Sequence, residues 1–311
     1  MVVMGIDIGG TKVRCLIVST SLNTALGAGQ AGGANIYSSG PQASLNLEHA
    51  VRQALHQAGL APGDVSSVCV GLAGKTPDAV ATTMGVLTKG IGLPLIEPTE
   101  TKSDLEIAFK SASSDPDGVL VFAGTGAGAA RMEEWNCVQT HDGMGWLLGD
   151  IGSGIWLGRE VLRAVAADID QRGHPTAMTK PLLDLVDIDG DANIRSRLIA
   201  AVSGMAPTRW GMFAPLALAN DGVDEIATRL LDSAAEALIQ AVTRMGGPIQ
   251  IITTGSLLAK GPLKERLAKV FTQSFAPFPV TGACAFASEA IGAKLNLNSL
   301  AAELVSHKLL G

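Results

Sequence analysis

The sequence predicts an α/β protein with two lobes, each built around its own β-sheet. Three apolar runs typical of strands each end in a glycine-rich turn, near residues 9, 124 and 255. Segments with the i, i+3, i+4 spacing of amphipathic helices lie between them, for example at 44–58. With 311 residues, of which 47% are hydrophobic, the chain is long enough to bury a core in each lobe.

The first glycine turn lies close to the N-terminus. An apolar strand, Val2–Ile8, leads into Gly9-Gly10-Thr11-Lys12, and a second strand follows at 13–18. This pattern predicts a β-hairpin whose turn offers backbone N–H groups and a hydroxyl to a phosphate. Asp7 stands near the end of the first strand, where its carboxylate is placed to hold a hydrated magnesium ion.

Two polar residues of the first lobe are candidates for a ligand site. Asn35 follows a predicted strand at 25–31, and it either contacts a ligand or only tolerates the turn. Asp104 lies near the start of a helix predicted at 101–113, after a short strand at 93–96. From its position alone, Asp104 would be read as a helix cap or a partner of the helix dipole.

A Gly-Lys-Thr triplet in the same lobe is not a nucleotide-binding P-loop. It begins at Gly74, after a strand predicted at 65–72. The P-loop motif needs a second glycine five residues earlier, and Cys69 stands there instead. The triplet is therefore interpreted as a loop.

Two further glycine turns occur in the second lobe. Gly124-Thr125-Gly126 follows a strand at 119–123 and outlines a second phosphate cradle. Gly255-Ser256 follows a strand at 249–254, at a place suited to close over a nucleoside. Between them, a glycine-rich turn at 149–154 presents Asp150. Trp146, just before this turn, is either a core residue or an apolar face for a sugar.

Helices dominate the rest of the second lobe. The predicted elements are helices at 155–169, 192–202, 207–219, 223–245, 262–275, 283–295 and 298–309, with a short strand at 279–281. The acidic run 187–193 imitates a calcium loop but lacks that loop's glycine and its bidentate Glu, so it is interpreted as a surface loop.

Composition excludes several classes of partner. The formal net charge of −6, with no run of Lys and Arg, gives no footprint for nucleic acid. The 4 cysteines are widely spaced, which favours reduced thiols over a metal site or a disulfide framework. Neither a signal peptide nor about 20 unbroken apolar residues is apparent. A cytoplasmic protein without a membrane partner is expected.

The chain resembles the acetate and sugar kinase, Hsc70 and actin superfamily in three segments. They match its first phosphate, second phosphate and adenosine motifs, and they read GIDIGGTKVRCLIV, VLVFAGTGAGAAR and IQIITTGSLL. Asn35, the segment around Asp104 and the run GWLLGDIGSGIWLG are most similar to its N-acetylglucosamine and glucosamine kinase branch, which is of BadF/BadG/BcrA/BcrD ATPase type. The resemblance implies a two-lobed, actin-like (ribonuclease H-like) ATPase fold with a hinge and an interlobe cleft. Residues 1–115 would form the N-terminal lobe, joined by a C-terminal helix at 296–311, and residues 116–295 the C-terminal lobe.

The resemblance also implies a role for each site residue. ATP and Mg²⁺ would be the cofactors, an amino sugar the substrate and a hexosamine 6-phosphate the product. Asp104 would be the catalytic base and Asp7 the metal ligand. The nucleotide would contact Gly9, Gly10, Thr11, Lys12, Gly124, Thr125, Gly126, Gly255 and Ser256. The sugar would contact Asn35, Asp104, Gly126, Asp142, Asp150 and Ile151. Dimers are common among the resembled kinases, so a homodimer is expected.

One residue departs from the family pattern. The relatives usually carry Gly-Asp-Glu-Gly-Ser, whereas this chain has Ile151 in place of the Glu. A free glucosamine amine is largely cationic near neutral pH, and Asp142 and Asp150 could pair with it. The sequence therefore favours glucosamine over N-acetylglucosamine.

Two functions of other classes stay open. Activator ATPases of 2-hydroxyacyl-CoA dehydratases share the fold but hold an iron–sulfur cluster on clustered cysteines, which this chain lacks. A non-catalytic sugar sensor is the other. Regulators on this fold usually add a DNA-binding segment, whereas here the phosphate motif begins within a few residues of Met1.

Overall fold

The computed structural model describes residues 1–94, 99–190, 192–246 and 250–310. The chain divides into two compact units. Unit 1 comprises Met1–Gly118, Met132–Val138 and Ala276–Gly311, and unit 2 comprises Val119–Arg131 and Gln139–Phe275. Within the described residues, no helix combines the length and the apolar character needed to span a lipid bilayer.

The described strands form two sheets of five, one in unit 1 and the other mostly in unit 2, since Met132–Val138, which includes parts of two of its strands, is assigned to unit 1. Their orders are β3-β2-β1-β4-β5 in unit 1 and β10-β9-β6-β7-β8 in the other sheet. The strands are β1 Val2–Ile8, β2 Lys12–Ser19, β3 Thr24–Gly32, β4 Ser67–Leu72, β5 Thr99–Ser103, β6 Gly118–Ala123, β7 Ala127–Glu133, β8 Asn136–Asp142, β9 Ile251–Thr254 and β10 Gln273–Phe275.

The α-helices of the described residues are α1 Ile36–Ser39, α2 Gln42–Ala58, α3 Pro77–Gly85, α4 Asp104–Ala112, α5 Gly145–Leu148, α6 Gly154–Ile169, α7 Thr179–Leu185, α8 Ile194–Ser203, α9 Ala214–Ala219, α10 Glu225–Arg244, α11 Ser256–Ala259, α12 Pro262–Ala268, α13 Pro279–Glu289 and α14 Leu297–Ser306. Short 3₁₀ helices lie at Pro62–Asp64 and Pro207–Phe213, and a π-helical turn lies at Val86–Gly90.

The sheet of unit 1 brings three strand ends to one edge. β1 runs parallel to β4, and β4 runs parallel to β5. Asp7 is in register with Gly71, and Gly71 is in register with Lys102. Since parallel strands end at the same edge, the residues that follow β4 and β5 lie beside the carboxyl end of β1.

Helix α4 is held in unit 1 by contacts along its length. Its Glu106 accepts a hydrogen bond from the backbone N–H of Cys137 over 3.0 Å. The ammonium of Lys110 lies 3.6 Å from the ring centroid of Trp135 and 2.8 Å from the carboxylate of Glu289. A buried cation that is paired in this way fixes the direction of the helix.

The core of unit 2 lies between its sheet and two long helices. β6 runs parallel to β9. Leu157 of α6 and Leu231 and Leu238 of α10 are buried in one apolar cluster with the central strands. These leucines follow the helical repeat that the sequence analysis used to predict both helices.

Several predicted elements differ from the structure, and the main differences concern β5, α12 and α13. Residues 101–103 belong to β5 rather than to a helix, because they pair with β4. The helix predicted at 262–275 ends at Ala268, and residues 273–275 form β10 on β9. The strand predicted at 279–281 is instead the start of α13, which Pro279 opens. The strand predicted at 93–96 falls partly on residues 95–96, which lie outside the described residues.

The division into units places residues 276–295 in unit 1, whereas the sequence analysis counted them with the C-terminal lobe. Small residues explain the close packing of α13. A Cβ atom on Gly282 would overlap the carbonyl oxygen of Ile107, and one on Gly5 would lie 2.7 Å from the thiol of Cys284. Such contacts between distant residues leave no local signal in the sequence. Helix α14 also belongs to unit 1.

Candidate active site

The first phosphate turn is a tight connection between β1 and β2. The Gly9 N–H donates to the Lys12 carbonyl over 2.9 Å and closes the turn. Gly10, Thr11 and Lys12 are exposed. A Cβ atom on Gly33 would overlap the Gly10 carbonyl, so the chain after β3 can pass beneath the turn only as glycine. One side of the turn thus packs against Gly33, and the exposed residues 10–12 leave the other side accessible to a ligand.

Asp7 is a poorly solvated carboxylate beside this turn. Its side chain is 14% exposed, and its Oδ2 lies 4.0 Å from Nη1 of Arg14 on the paired strand. Burial raises the pKa of Asp7 to about 7; the Arg14 guanidinium opposes the rise, and the charge of Asp104 adds to it. A divalent cation would favour the ionised form, so Asp7 fits the predicted magnesium ligand. Within the described residues, no group of three or more His, Cys, Asp or Glu side chains could hold a metal ion.

Asp104 is the first residue of α4, directly after β5, but it is not the cap of the helix. Ser103 takes that role, because its Oγ accepts from the N–H of Glu106 over 3.1 Å. Glu106 returns the contact by accepting from the N–H of Ser103 over 2.8 Å. Ser103 therefore takes the capping role, while Asp104 lies in the first turn of α4, where a carboxylate also interacts favourably with the helix dipole.

The pKa of Asp104 is raised towards neutral pH. Burial raises its pKa to about 6, against the effect of the backbone N–H groups of Leu105 and of Asp104 itself, while the charge of Glu106 adds to the rise. A carboxylate with a pKa near the working pH is suited to general base catalysis.

Asn35 is engaged in structural contacts. Its Oδ1 accepts from the backbone N–H groups of Tyr37 at 2.8 Å and Ser38 at 3.3 Å, which caps α1. Its Nδ2 donates to the carbonyl of Ala73 over 2.8 Å. The geometry thus accounts for Asn35 as a turn residue and leaves one amide hydrogen for a ligand.

The second phosphate turn joins β6 to β7. The Gly124 N–H donates to the Gly126 carbonyl over 2.9 Å, and the Gly124 carbonyl accepts from Gly154 over 2.8 Å. A Cβ atom on Gly126 would lie 3.1 Å from Oδ1 of Asp150. The turn therefore touches the glycine-rich segment that carries the predicted sugar-binding carboxylate.

Asp142 organises that segment. One of its carboxylate oxygens accepts from the N–H of Asp150 at 2.7 Å and the other from the N–H of Ile151 at 2.9 Å. A weaker bond from Met144 measures 3.4 Å. Both oxygens accept hydrogen bonds from the backbone of the same loop, so Asp142 helps to fix the shape of that loop.

Asp150 is buried on the loop that Asp142 holds. It adopts a left-handed backbone, with φ of 56°, and accepts from the N–H of Ala127 over 3.2 Å. Burial raises its pKa, the N–H of Ala127 opposes that, and the charge of Asp142 adds to the rise.

Ile151 and Trp146 present apolar surface on the same loop. Ile151 is 40% exposed and Trp146 is 36% exposed. The ring of Trp146 meets Trp210 edge-on, with 5.6 Å between centroids. The ring of Trp146 therefore packs against Trp210 on one side and is exposed on the other. This position suits a contact with the apolar face of a sugar better than a place in the core.

A cavity of about 430 Å³ within unit 2 is lined by residues of three predicted glycine turns, those at 124–126, 149–154 and 255–256. Its lining consists of Gly124, Thr125, Gly154, Ile155, Thr208, Gly211, Ala214, Pro215, Leu218, Ser256 and Leu257. Gly255, next to Ser256, has a φ of 99°, and a Cβ atom there would overlap the Ala123 carbonyl. The segment 208–218 was not predicted as part of a site. Its only signal is small residues within a helical pattern, which also occur in ordinary cores.

Comparison with known proteins identifies similar chains. Residues 4–281 match the model of the BadF/BadG/BcrA/BcrD ATPase family. An N-acetylmuramic acid/N-acetylglucosamine kinase from Clostridium acetobutylicum is 25% identical over 60% of this chain and 60% of its own length. An N-acetyl-D-glucosamine kinase from Dictyostelium discoideum is 28% identical over 68% of this chain and 69% of its own.

A solved structure confirms the predicted fold. It belongs to a Chromobacterium violaceum protein that is proposed to be an N-acetylglucosamine kinase. It superimposes with a TM-score of 0.74 at 21% identity, over 91% of this chain and 97% of the other. The α/β class and the actin-like ATPase fold, expected from the glycine turns and the resemblance, are thereby established.

Proposed function

The chain belongs to the BadF/BadG/BcrA/BcrD ATPase family, and from this premise we propose that it is an ATP-dependent kinase of N-acylated amino sugars. The observation that carries the proposal is Asp104. It is a partly buried carboxylate with a pKa of about 6, at the carboxyl edge of the sheet that also carries Asp7, and Ser103 frees it from capping the helix.

Phosphoryl transfer requires held phosphates, a charge-neutralising metal and an acceptor hydroxyl in line. The cavity of unit 2 has room for a nucleoside, and the turns at 9–12 and 124–126 offer backbone N–H groups to phosphates. Asp7 would hold Mg²⁺, which neutralises charge on the transferred phosphoryl group. These residues supply positioning, which is the main need of the reaction.

Asp104 would act on the sugar. At neutral pH a carboxyl with a pKa of about 6 is mostly ionised, and it can orient the 6-hydroxyl and accept its proton as the new P–O bond forms. Asp150 would accept hydrogen bonds from ring hydroxyls at the loop that Asp142 fixes.

The choice of sugar follows from the contacts of Asp142. The sequence favours glucosamine because Asp142 and Asp150 could pair with its ammonium group. Asp142 is engaged by the backbone N–H groups of its own loop, and the neighbouring exposed side chains, Ile151 and Trp146, are apolar. An apolar surface suits the methyl of an acetamido group better than a cation. We therefore favour N-acetylglucosamine as the substrate.

A coupled ADP-release assay tests the proposal. N-acetylglucosamine, glucosamine, glucose and the 6-deoxy analogue of N-acetylglucosamine would be compared with saturating ATP and Mg²⁺. N-acetylglucosamine should show a kcat/KM at least about tenfold above that of glucosamine, and the 6-deoxy analogue should be inert. Release of ADP that does not depend on any sugar would contradict a kinase, and equal turnover of both amino sugars would contradict the acyl preference.

A further inference from the structure

The cavity of unit 2 has an unusual chemistry for a site that would recognise one base. Three hydroxyl side chains line it, those of Thr125, Thr208 and Ser256, and every other lining residue is Gly, Ala, Pro, Ile or Leu. Within the described residues, no carboxylate, amide, imidazole or cation contributes to this lining. The walls are thus apolar, with three adaptable polar groups.

Several backbone groups of the wall are already paired. The Gly124 carbonyl accepts from the N–H of Gly154 over 2.8 Å, and the carbonyl of Gly255, which precedes the lining residue Ser256, accepts from the N–H of Leu258 over 3.1 Å. The Gly211 carbonyl accepts from the N–H of Ala214. A carbonyl oxygen that already accepts a hydrogen bond within the protein contributes little to the recognition of a ligand. Among the described side chains of the lining, the groups able to form hydrogen bonds with a base are the three hydroxyls.

Hydroxyls are poor at separating adenine from guanine. The two bases differ where one carries an amino donor and the other a carbonyl acceptor. A hydroxyl can rotate to donate or to accept, so it pairs with either group. Sites with fixed polar partners reach selectivities of about 10⁴ to 10⁵, whereas apolar pockets stay near about 10² or below.

We propose that this protein does not select adenine, and that it takes GTP as well as ATP as the phosphoryl donor. The inference rests on the proposed kinase function and adds the class of donor. With GTP, the bond between the γ-phosphorus and its bridging oxygen breaks and a bond to the sugar 6-oxygen forms. Asp104 receives the hydroxyl proton, and GDP leaves. Pyrimidine nucleotides should serve less well, because a smaller ring buries less apolar surface in a purine-sized cavity.

The first experiment compares ATP and GTP as donors to N-acetylglucosamine at equal free Mg²⁺. The expected ratio of their kcat/KM values is below about thirtyfold. A larger ratio overturns the proposal. It would mean that the site contains a polar group that distinguishes adenine from guanine, and the lining described above contains none with a fixed donor or acceptor.

A variant of Thr208 tests the same point within the cavity. Thr208→Val removes a hydroxyl at nearly constant volume, and Thr208→Ser, which keeps it, is the matched control. Thr208→Val should change the ATP and GTP values by the same factor, to within about threefold. A larger change in the ATP/GTP ratio would show that this hydroxyl reads the base and would overturn the proposal.

Binding of ADP and GDP in the absence of sugar separates this inference from the proposed function. Calorimetry should give Kd values for the two diphosphates within about thirtyfold of each other, even if no sugar is phosphorylated. A failure of the kinase assay with comparable Kd values refutes the kinase only. A preference for ADP of more than about thirtyfold, or no binding of either diphosphate to the folded protein, refutes the inference.

Discussion

Replacing Asp104 by Asn is expected to separate activity from stability. The substitution removes the proposed base but keeps the shape and one acceptor oxygen. We expect kcat to fall by about 10² to 10⁴-fold, the usual share of a positioned general base, with little change in the KM for ATP. That loss corresponds to about 3 to 5 kcal/mol in the activation barrier.

The same substitution should stabilise the folded protein at neutral pH. The pKa of Asp104 is raised from 3.8 to about 6, so ionisation is disfavoured in the folded state. A shift of this size corresponds to at most about 3 kcal/mol. In wild type, the protonated carboxyl of Asp104 contributes favourably to the free energy of unfolding. This contribution is fully present below about pH 4 and is lost as the pH rises through about 6. The gap in unfolding free energy between Asp104→Asn and wild type should therefore widen between these pH values.

Thermal or urea unfolding at pH 4 to 8, together with steady-state kinetics, measures both effects. Ser103→Ala is the matched control, because loss of the cap should lower stability by about 1 kcal/mol at every pH in this range. In wild type, kcat/KM should fall about tenfold per pH unit below about 6. A kcat of Asp104→Asn close to that of wild type would remove Asp104 from the mechanism. If the difference in unfolding free energy between the two proteins does not change with pH, burial does not raise the pKa of Asp104.

Two further pairs of substitutions test unit 2. Gly124→Ala should weaken ADP binding while the protein stays folded, because its Cβ would lie an ordinary 3.9 Å from the nearest atom yet would hinder the close approach of phosphate. Gly255→Ala should lower stability by about 1 to 3 kcal/mol, since φ there is 99° and the Cβ overlaps backbone. Calorimetry measures the affinity for ADP and melting curves measure the stability. If the two variants lose affinity and stability to the same extent, Gly124 and Gly255 do not have the different roles expected here. Asp150→Ala should abolish turnover of every amino sugar, whereas Ile151→Glu, which places a carboxylate at an exposed position, should raise the kcat/KM of glucosamine relative to N-acetylglucosamine by about tenfold or more. Competition assays measure the ratio, and a change of less than about twofold would place the specificity elsewhere.

The sequence by itself determined the parts of this protein that depend on neighbouring residues. A strand followed by a glycine turn is encoded within a few residues, so the turns after β1, β6 and β9 were predicted before any contact was known. The helical repeat likewise placed α2, α6 and α10 to within a few residues of their ends. Asp104 was singled out as the catalytic base through the family resemblance, since its position alone favours a helix cap or a partner of the helix dipole.

Only the tertiary structure decided what several of these residues contact. For Asp142, the resemblance implies a contact with the sugar, and the structure adds that its carboxylate accepts hydrogen bonds from backbone N–H groups of its own loop. The cavity wall at 208–218 reaches the glycine turns only through packing, and α13 starts where a strand was predicted, because Gly282 lets it approach Ile107. Contacts such as these join residues far apart in the chain. The energy that selects them is the burial of surface that exists only after folding, so no local pattern records it.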